Sequence, residues 1–160
     1  MPRWTVMLLL AACTQPPVVA PPVAPARAPE AVGAPRVEAE TYAVTLAPVG
    51  PYPPTSAGEV IVSIEARAGY HVNADYPVKF TTAKDATVTF ASPAIPLRDV
   101  LHKTPCEKQP TEACAASAKV PFTAGAAGDA VVAGTLAFSV CSAEQCLIEK
   151  VPLRLTLSVR

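Results

Sequence analysis

The stretch Val131-Val132-Ala133-Gly134-Thr135-Leu136-Ala137-Phe138-Ser139-Val140-Cys141-Ser142-Ala143-Glu144-Gln145-Cys146-Leu147-Ile148-Glu149-Lys150-Val151 decides the fold. Val131 to Val140 is a β-rich run, with Gly134 as a candidate bulge. Leu147 to Val151 and Leu153 to Val159 are two more, split by Pro152. A short polar segment lies between the first two runs. The whole therefore reads as a hairpin with Cys141 and Cys146 at its neck.

Outward from this hairpin the apolar pattern keeps a period of two. Tyr42, Val44 and Leu46 alternate with Ala43, Thr45 and Ala47, and Val60, Val62 and Ile64 share one face of a second run. Val78 to Thr82, Ala86 to Phe90 and Lys119 to Thr123 are shorter candidates, and turn signals at Ala68-Gly69, Lys84-Asp85 and Gly125 to Asp129 separate them. Seven to nine short strands of this kind predict an all-β, immunoglobulin-like antiparallel sandwich over residues 41–160. Only Pro96 to Lys103 reads as helical, with Leu97, Val100 and Leu101 at helical spacing. No long helix is available to cover a parallel sheet, which excludes Rossmann and thioredoxin folds.

Residues 1–12 read as a signal peptide. Arg3 supplies a positive charge, Trp4 to Leu10 is almost wholly apolar, and Ala11-Ala12 precede Cys13. That run is far short of the roughly 20 residues of a transmembrane helix. Leu10-Ala11-Ala12-Cys13 has the form of a bacterial lipobox, which predicts cleavage before Cys13 and lipidation of its sulfur. Thr14 rather than Asp after the cysteine favours the outer membrane, facing the periplasm. Residues 13–40 read as a lipid-anchored Pro/Ala-rich linker. Eleven prolines fall between Gln15 and Pro54, a composition that favours polyproline II. At ~3.1 Å per residue, the stretch from Thr14 to Glu40 would reach roughly 80 Å. Tyr52, set among prolines, reads as part of the same decoration.

Lys and Arg number 13, as do Asp and Glu, and charged residues make up only 16% of the chain. No basic face large enough for nucleic acid is expected. With Cys13 assigned to lipid, Cys106, Cys114, Cys141 and Cys146 remain. An even count in an exported domain predicts disulfides. Three connectivities are possible, and the economical one pairs Cys106 with Cys114 and Cys141 with Cys146. His102 precedes Cys106 by four residues, but closely spaced ligand pairs on both sides are missing, so neither a metal nor another cofactor is expected.

Gly69-Tyr70-His71-Val72-Asn73, with Phe138-Ser139-Val140-Cys141 and Cys146, resembles the N-terminal periplasmic, or disulfide-bond corrector, domain of the thiol:disulfide interchange protein DsbD family. The resemblance covers roughly residues 41–160. It implies an immunoglobulin-like fold, a redox-active Cys141–Cys146 pair in a hairpin, and electron exchange with thioredoxin-like partners. It also implies that Tyr70 and His71 line the site. The chain departs from the family pattern in having four residues between the cysteines rather than five. The residues themselves also allow a different class: a non-catalytic structural or binding lipoprotein with two structural disulfides. Glu144, Glu149 and Lys150 create no clear positive field, so the thiols suit a passive partner in exchange rather than a strong nucleophile.

Overall fold

The structure, a computed structural model, describes Met1 and residues 33–160. Apart from Met1, the candidate signal peptide, the lipidation candidate Cys13 and the expected linker as far as residue 32 lie outside the described residues. The chain is all-β. Its strands are β1 (Arg36–Glu38), β2 (Tyr42–Pro48), β3 (Ala57–Ala66), β4 (His71–Val72), β5 (Lys79–Thr82), β6 (Ala94–Pro96), β7 (His102–Pro105), β8 (Ala113–Thr123), β9 (Gly128–Cys141) and β10 (Cys146–Val159). Every ladder between them is antiparallel. Hydrogen bonding runs β1-β2-β3-β8-β4-β9-β5-β6, with β7 added to β8 and β10 added to β9. The sheet folds over on itself, so β2 packs on β10, and the bridges Ala34–Leu153 and Tyr52–Val159 close that side. The result is an immunoglobulin-like sandwich.

Period two explains which side chains enter. Val44, Leu46, Val60, Val62 and Ile64 from one layer meet Phe80, Leu136, Phe138, Val140 and Leu153 from the other, all essentially fully buried. Each contributes roughly 1.5–3 kcal/mol by leaving water. Tyr42 and Phe138 meet edge to face, with ring centroids 5.0 Å apart.

Several sequence expectations change. Pro96 to Lys103 is not helical: a single 3-10 turn, Arg98–Val100, separates β6 from β7. The supposed apolar stripe does not face one surface, since Leu97 is fully buried and Val100 is 63% exposed. Ala86 to Phe90 forms no strand. Its Thr87 and Val88 amides both turn to the Val131 carbonyl, and only Thr89 bridges Thr123. β1 lies ahead of residue 41, in the segment read as linker, and pairs with β2 from Arg36 to Glu38.

Tyr52 belongs to the core rather than to a linker. Its hydroxyl accepts from the Val49 amide at 2.8 Å and donates to the Glu59 carbonyl at 2.9 Å, and its ring stacks near Phe122.

Pro152 does not break the last strand, and β10 runs unbroken for 14 residues. The Arg154 amide points away from β9 to the Ala34 carbonyl. Residues two apart share that direction, so the missing N–H of Pro152 removes no bond from the β9 ladder.

Gly134 makes no bulge, because β9 stays in register with β10 throughout. It is instead the point where Phe80 crosses. A Cβ there would overlap the Phe80 ring and sit 2.6 Å from the Thr81 carbonyl oxygen. Gly134→Ala should therefore lower stability in urea by about 1–3 kcal/mol through overpacking, with the antiparallel spectrum retained. An unchanged unfolding midpoint would show that Phe80 moves aside freely.

Tyr42 gives a second test. Burial, and then the Glu149 carboxylate 3.4 Å from its hydroxyl, push its ionisation above the usual tyrosine range. The unfolded chain then loses this proton first as pH rises. The contribution of Tyr42 is full below about pH 10 and fades as pH climbs through the folded-state value. Urea midpoints at pH 8 and 11 should fall more steeply for the wild type than for Tyr42→Phe. Equal slopes would contradict this account.

Candidate functional site

The β9–β10 register sets Cys141 directly opposite Cys146. The four-residue turn between them is held by its own side chain: the Glu144 and Gln145 amides donate to Ser142 Oγ at 3.1 and 3.3 Å, and the Ser142 amide donates to the Gln145 carbonyl. The turn bond places residues 142 and 145 in a hydrogen-bonded pair. Cys141 and Cys146 therefore form the adjacent non-hydrogen-bonded pair, where antiparallel strands come closest. Their Cα atoms are 3.9 Å apart and their sulfurs are bonded. The two ends differ in access: Cys141 is 4% exposed, whereas Cys146 is open to solvent.

Cys106 is bonded to Cys114 where β7 meets the start of β8, next to an irregularity between Thr104 and Pro105. Cys106 is buried and Cys114 half-buried. The Cys106 amide donates to the Glu112 carbonyl, and the Glu112 amide to that of Gln109, so the intervening loop is folded tightly back.

Two residues of β4 bring the bridges together. Val72 pairs with Ala113 on β8 and with Val140 on β9, and His71 pairs with Cys141. His71 and Cys141, as paired residues, stand about 5 Å apart at Cβ, and His71 shares a cleft with Cys106 and Cys114 of the other bridge. The turn that delivers β4 uses Gly69 at φ 84°, a left-handed conformation suited to glycine.

Glu112 Oε2 lies 3.2 Å from His71 Nδ1. A cleft of about 630 Å³ opens here, lined among others by Tyr70, His71, Cys106, Glu112, Cys114 and Ala143. Thus Tyr70, His71 and the second bridge share one cleft, and the tip of the Cys141–Cys146 hairpin forms part of its wall. Tyr70 packs partly against the core.

Two residues of this region escaped the sequence reading. Glu112 reads as one more charge in a polar loop, and only the β4–β8 register carries it to His71. Ser139 shares the outer face of β9 with Cys141, which period two alone would have shown. It is 1% exposed and its hydroxyl has no partner.

Chemically, a bridge between an exposed and a buried cysteine is more open to attack at the exposed end. A thiolate reaching Cys146 would expel Cys141 as the leaving thiolate. No helix among the described residues is long and apolar enough to cross a membrane. No protein-family model, no curated protein and no solved structure matches the chain, so the likeness to the DsbD family stands on the short segments around residues 69–73 and 138–146.

Proposed function

We propose that the protein is a thiol:disulfide interchange module that passes electrons through Cys141 and Cys146 to or from thioredoxin-like partners. The observation that carries this reading is a bridge between an exposed and a buried cysteine, closing a turn that the strand ladder already determines. Breaking it removes no ladder bond and no core contact, so both redox forms keep the same framework. A carrier needs that property.

In the reductive direction a partner thiolate bonds to Cys146 Sγ. The Cys141–Cys146 bond breaks and its electron pair stays on Cys141. A second thiolate of the partner then attacks its own sulfur in the mixed disulfide and releases Cys146. The partner ends as a disulfide and this chain as a dithiol, two electrons having moved. His71, paired with Cys141 across β4 and β9 and 3.2 Å from the Glu112 carboxylate, is a polar group beside the leaving sulfur.

The export signal and Cys13 support a site of action in the bacterial cell envelope. There a lipid anchor at Cys13 would hold the module at the outer membrane, facing the periplasm, on its proline-rich tether. Acyl chains contribute about 0.8 kcal/mol per buried CH₂, enough for stable anchoring when several are attached.

The test is a redox titration with thiol labelling and mass spectrometry of each bridge. Cys141–Cys146 should equilibrate between about −120 and −270 mV. Cys141→Ser should trap a mixed disulfide with a thioredoxin-like dithiol through Cys146, and Cys146→Ser, which leaves only the buried sulfur, should trap far less. A bridge still oxidised well below about −300 mV, with neither variant trapping a partner, would make it a staple. The chain would then be a structural or binding lipoprotein.

A further inference from the structure

Ser139 is the one residue among those described whose buried side-chain oxygen has no hydrogen-bond partner. Its carbonyl is satisfied, since the Asn73 amide donates to it at 2.9 Å. Ser139 lies on β9 between Phe138 and Val140, which point into the core, and it shares the opposite face with Ala137 and Cys141. Across the ladder it faces Ile148, an apolar neighbour that offers nothing to a hydroxyl. An unpaired buried hydroxyl costs about 1–3 kcal/mol, and alanine at such a site would be neutral or stabilising. Something other than packing of the bonded form therefore accounts for a serine here.

The group that changes on this face is Cys141, two residues away, about 7 Å along the strand between Cα atoms. While bonded to Cys146, its sulfur is a weak acceptor fixed toward β10. Once the bridge opens, the same sulfur is free to rotate and can carry a full negative charge. We infer that Ser139 is the hydrogen-bond donor that stabilises the Cys141 thiolate in the reduced protein. This rests on the proposal that Cys141–Cys146 opens, and it assigns to Ser139 a positioning role at that site. In the step itself the partner's thiolate bonds to Cys146, and the electron pair of the broken bond remains on Cys141. Ser139 donates its O–H to that sulfur without transferring the proton. The orphan hydroxyl raises the free energy of the oxidised form and finds a charged acceptor in the reduced one, so Ser139 biases the pair toward reduction.

The other titratable groups around Cys141 are His71 on β4 with Glu112 behind it, Glu144 in the turn, and further along β9 Lys150 of β10 and Lys79 of β5, which both pair with Ala137. Ser139→Ala leaves all of them in place. In the full chain this substitution should reduce the equilibrium constant for reduction in thiol buffers by about tenfold, equivalent to about 30 mV. In a Cys146→Ala background, where Cys141 is the single thiol of the pair, its thiolate absorbance should appear at higher pH when Ser139 is replaced. The urea midpoint should rise for the oxidised Ser139→Ala protein and fall for the reduced one. Equal shifts in both forms, with potential and thiol titration unchanged, would overturn the inference and leave Ser139 a packing residue. If the thiol titration moves while no partner dithiol exchanges with the bridge, Ser139 keeps its role and the carrier function fails.

Discussion

The β9–β10 ladder is the constraint on which the rest depends. Each strand has 14 residues, and the pairing runs without a break from Cys141–Cys146 to Gly128–Val159. Parity along it assigns every side chain a face. Leu136, Phe138 and Val140 enter the core with Val151, Leu153, Leu157 and Val159. Ser139, Cys141, Cys146 and Ile148 turn outward by the same rule. A slip of one residue would exchange the two sets and expose the core row. The positions of the two sulfurs are therefore fixed by hydrophobic burial many residues away from them. The disulfide adds a bond to a geometry that is already set.

A hairpin alone would give a surface bridge with no surroundings. β4 changes that with two residues. Val72, 2% exposed, fills the core between Ala113 and Val140 and joins the two layers at this end. Its burial turns His71 the other way, beside Cys141. The Glu112 carboxylate reaches His71 from the loop that the second bridge closes. Sequence-distant features thus meet at one end of the sandwich because a single valine is buried there. Exposed ion pairs elsewhere, such as Lys119–Glu59, have no comparable consequence and contribute little.

Much of this was legible in the chain. Alternation in Tyr42 to Leu46, Val60 to Ile64 and Val131 to Val140 gave the strands, and the polar segment Ser142 to Gln145 gave the hairpin. What was hidden depends on long-range pairing. Ala113 to Ser117 has almost no β signal of its own, being mostly alanine, yet β3 and β7 flank it and it completes β8. His102 to Pro105 is exposed throughout and becomes a strand only because the β8 edge receives it. Tyr52 looked like linker because prolines surround it, although its burial is decided by Phe122 and the Glu59 carbonyl. At the site, Cys141 and Cys146 were readable from spacing. Glu112 was not, since its relation to His71 exists only through the β4–β8 register. Ser139 was readable in principle, but period two says which face a residue occupies and not whether its hydroxyl finds a partner.

The two bridges differ in access, and that difference bears on chemistry. Cys106–Cys114 closes the β7–β8 hairpin just past its Pro105–Ala113 pair, at an irregular junction, with Cys106 buried and Cys114 half-buried. Cys141–Cys146 closes four residues whose ends the ladder already holds together. By chain entropy its loop would add roughly 2 kcal/mol at most, and less where the unfolded hairpin keeps residual structure. A bond that contributes so little to stability, with one end facing solvent, is free to be broken without losing the fold. Under the proposed function, the exposed Cys146 makes the second bridge the one open to exchange. The proposed exchange would also account for the orphan hydroxyl of Ser139, because a residue suited to only one redox state has a role only where both states occur.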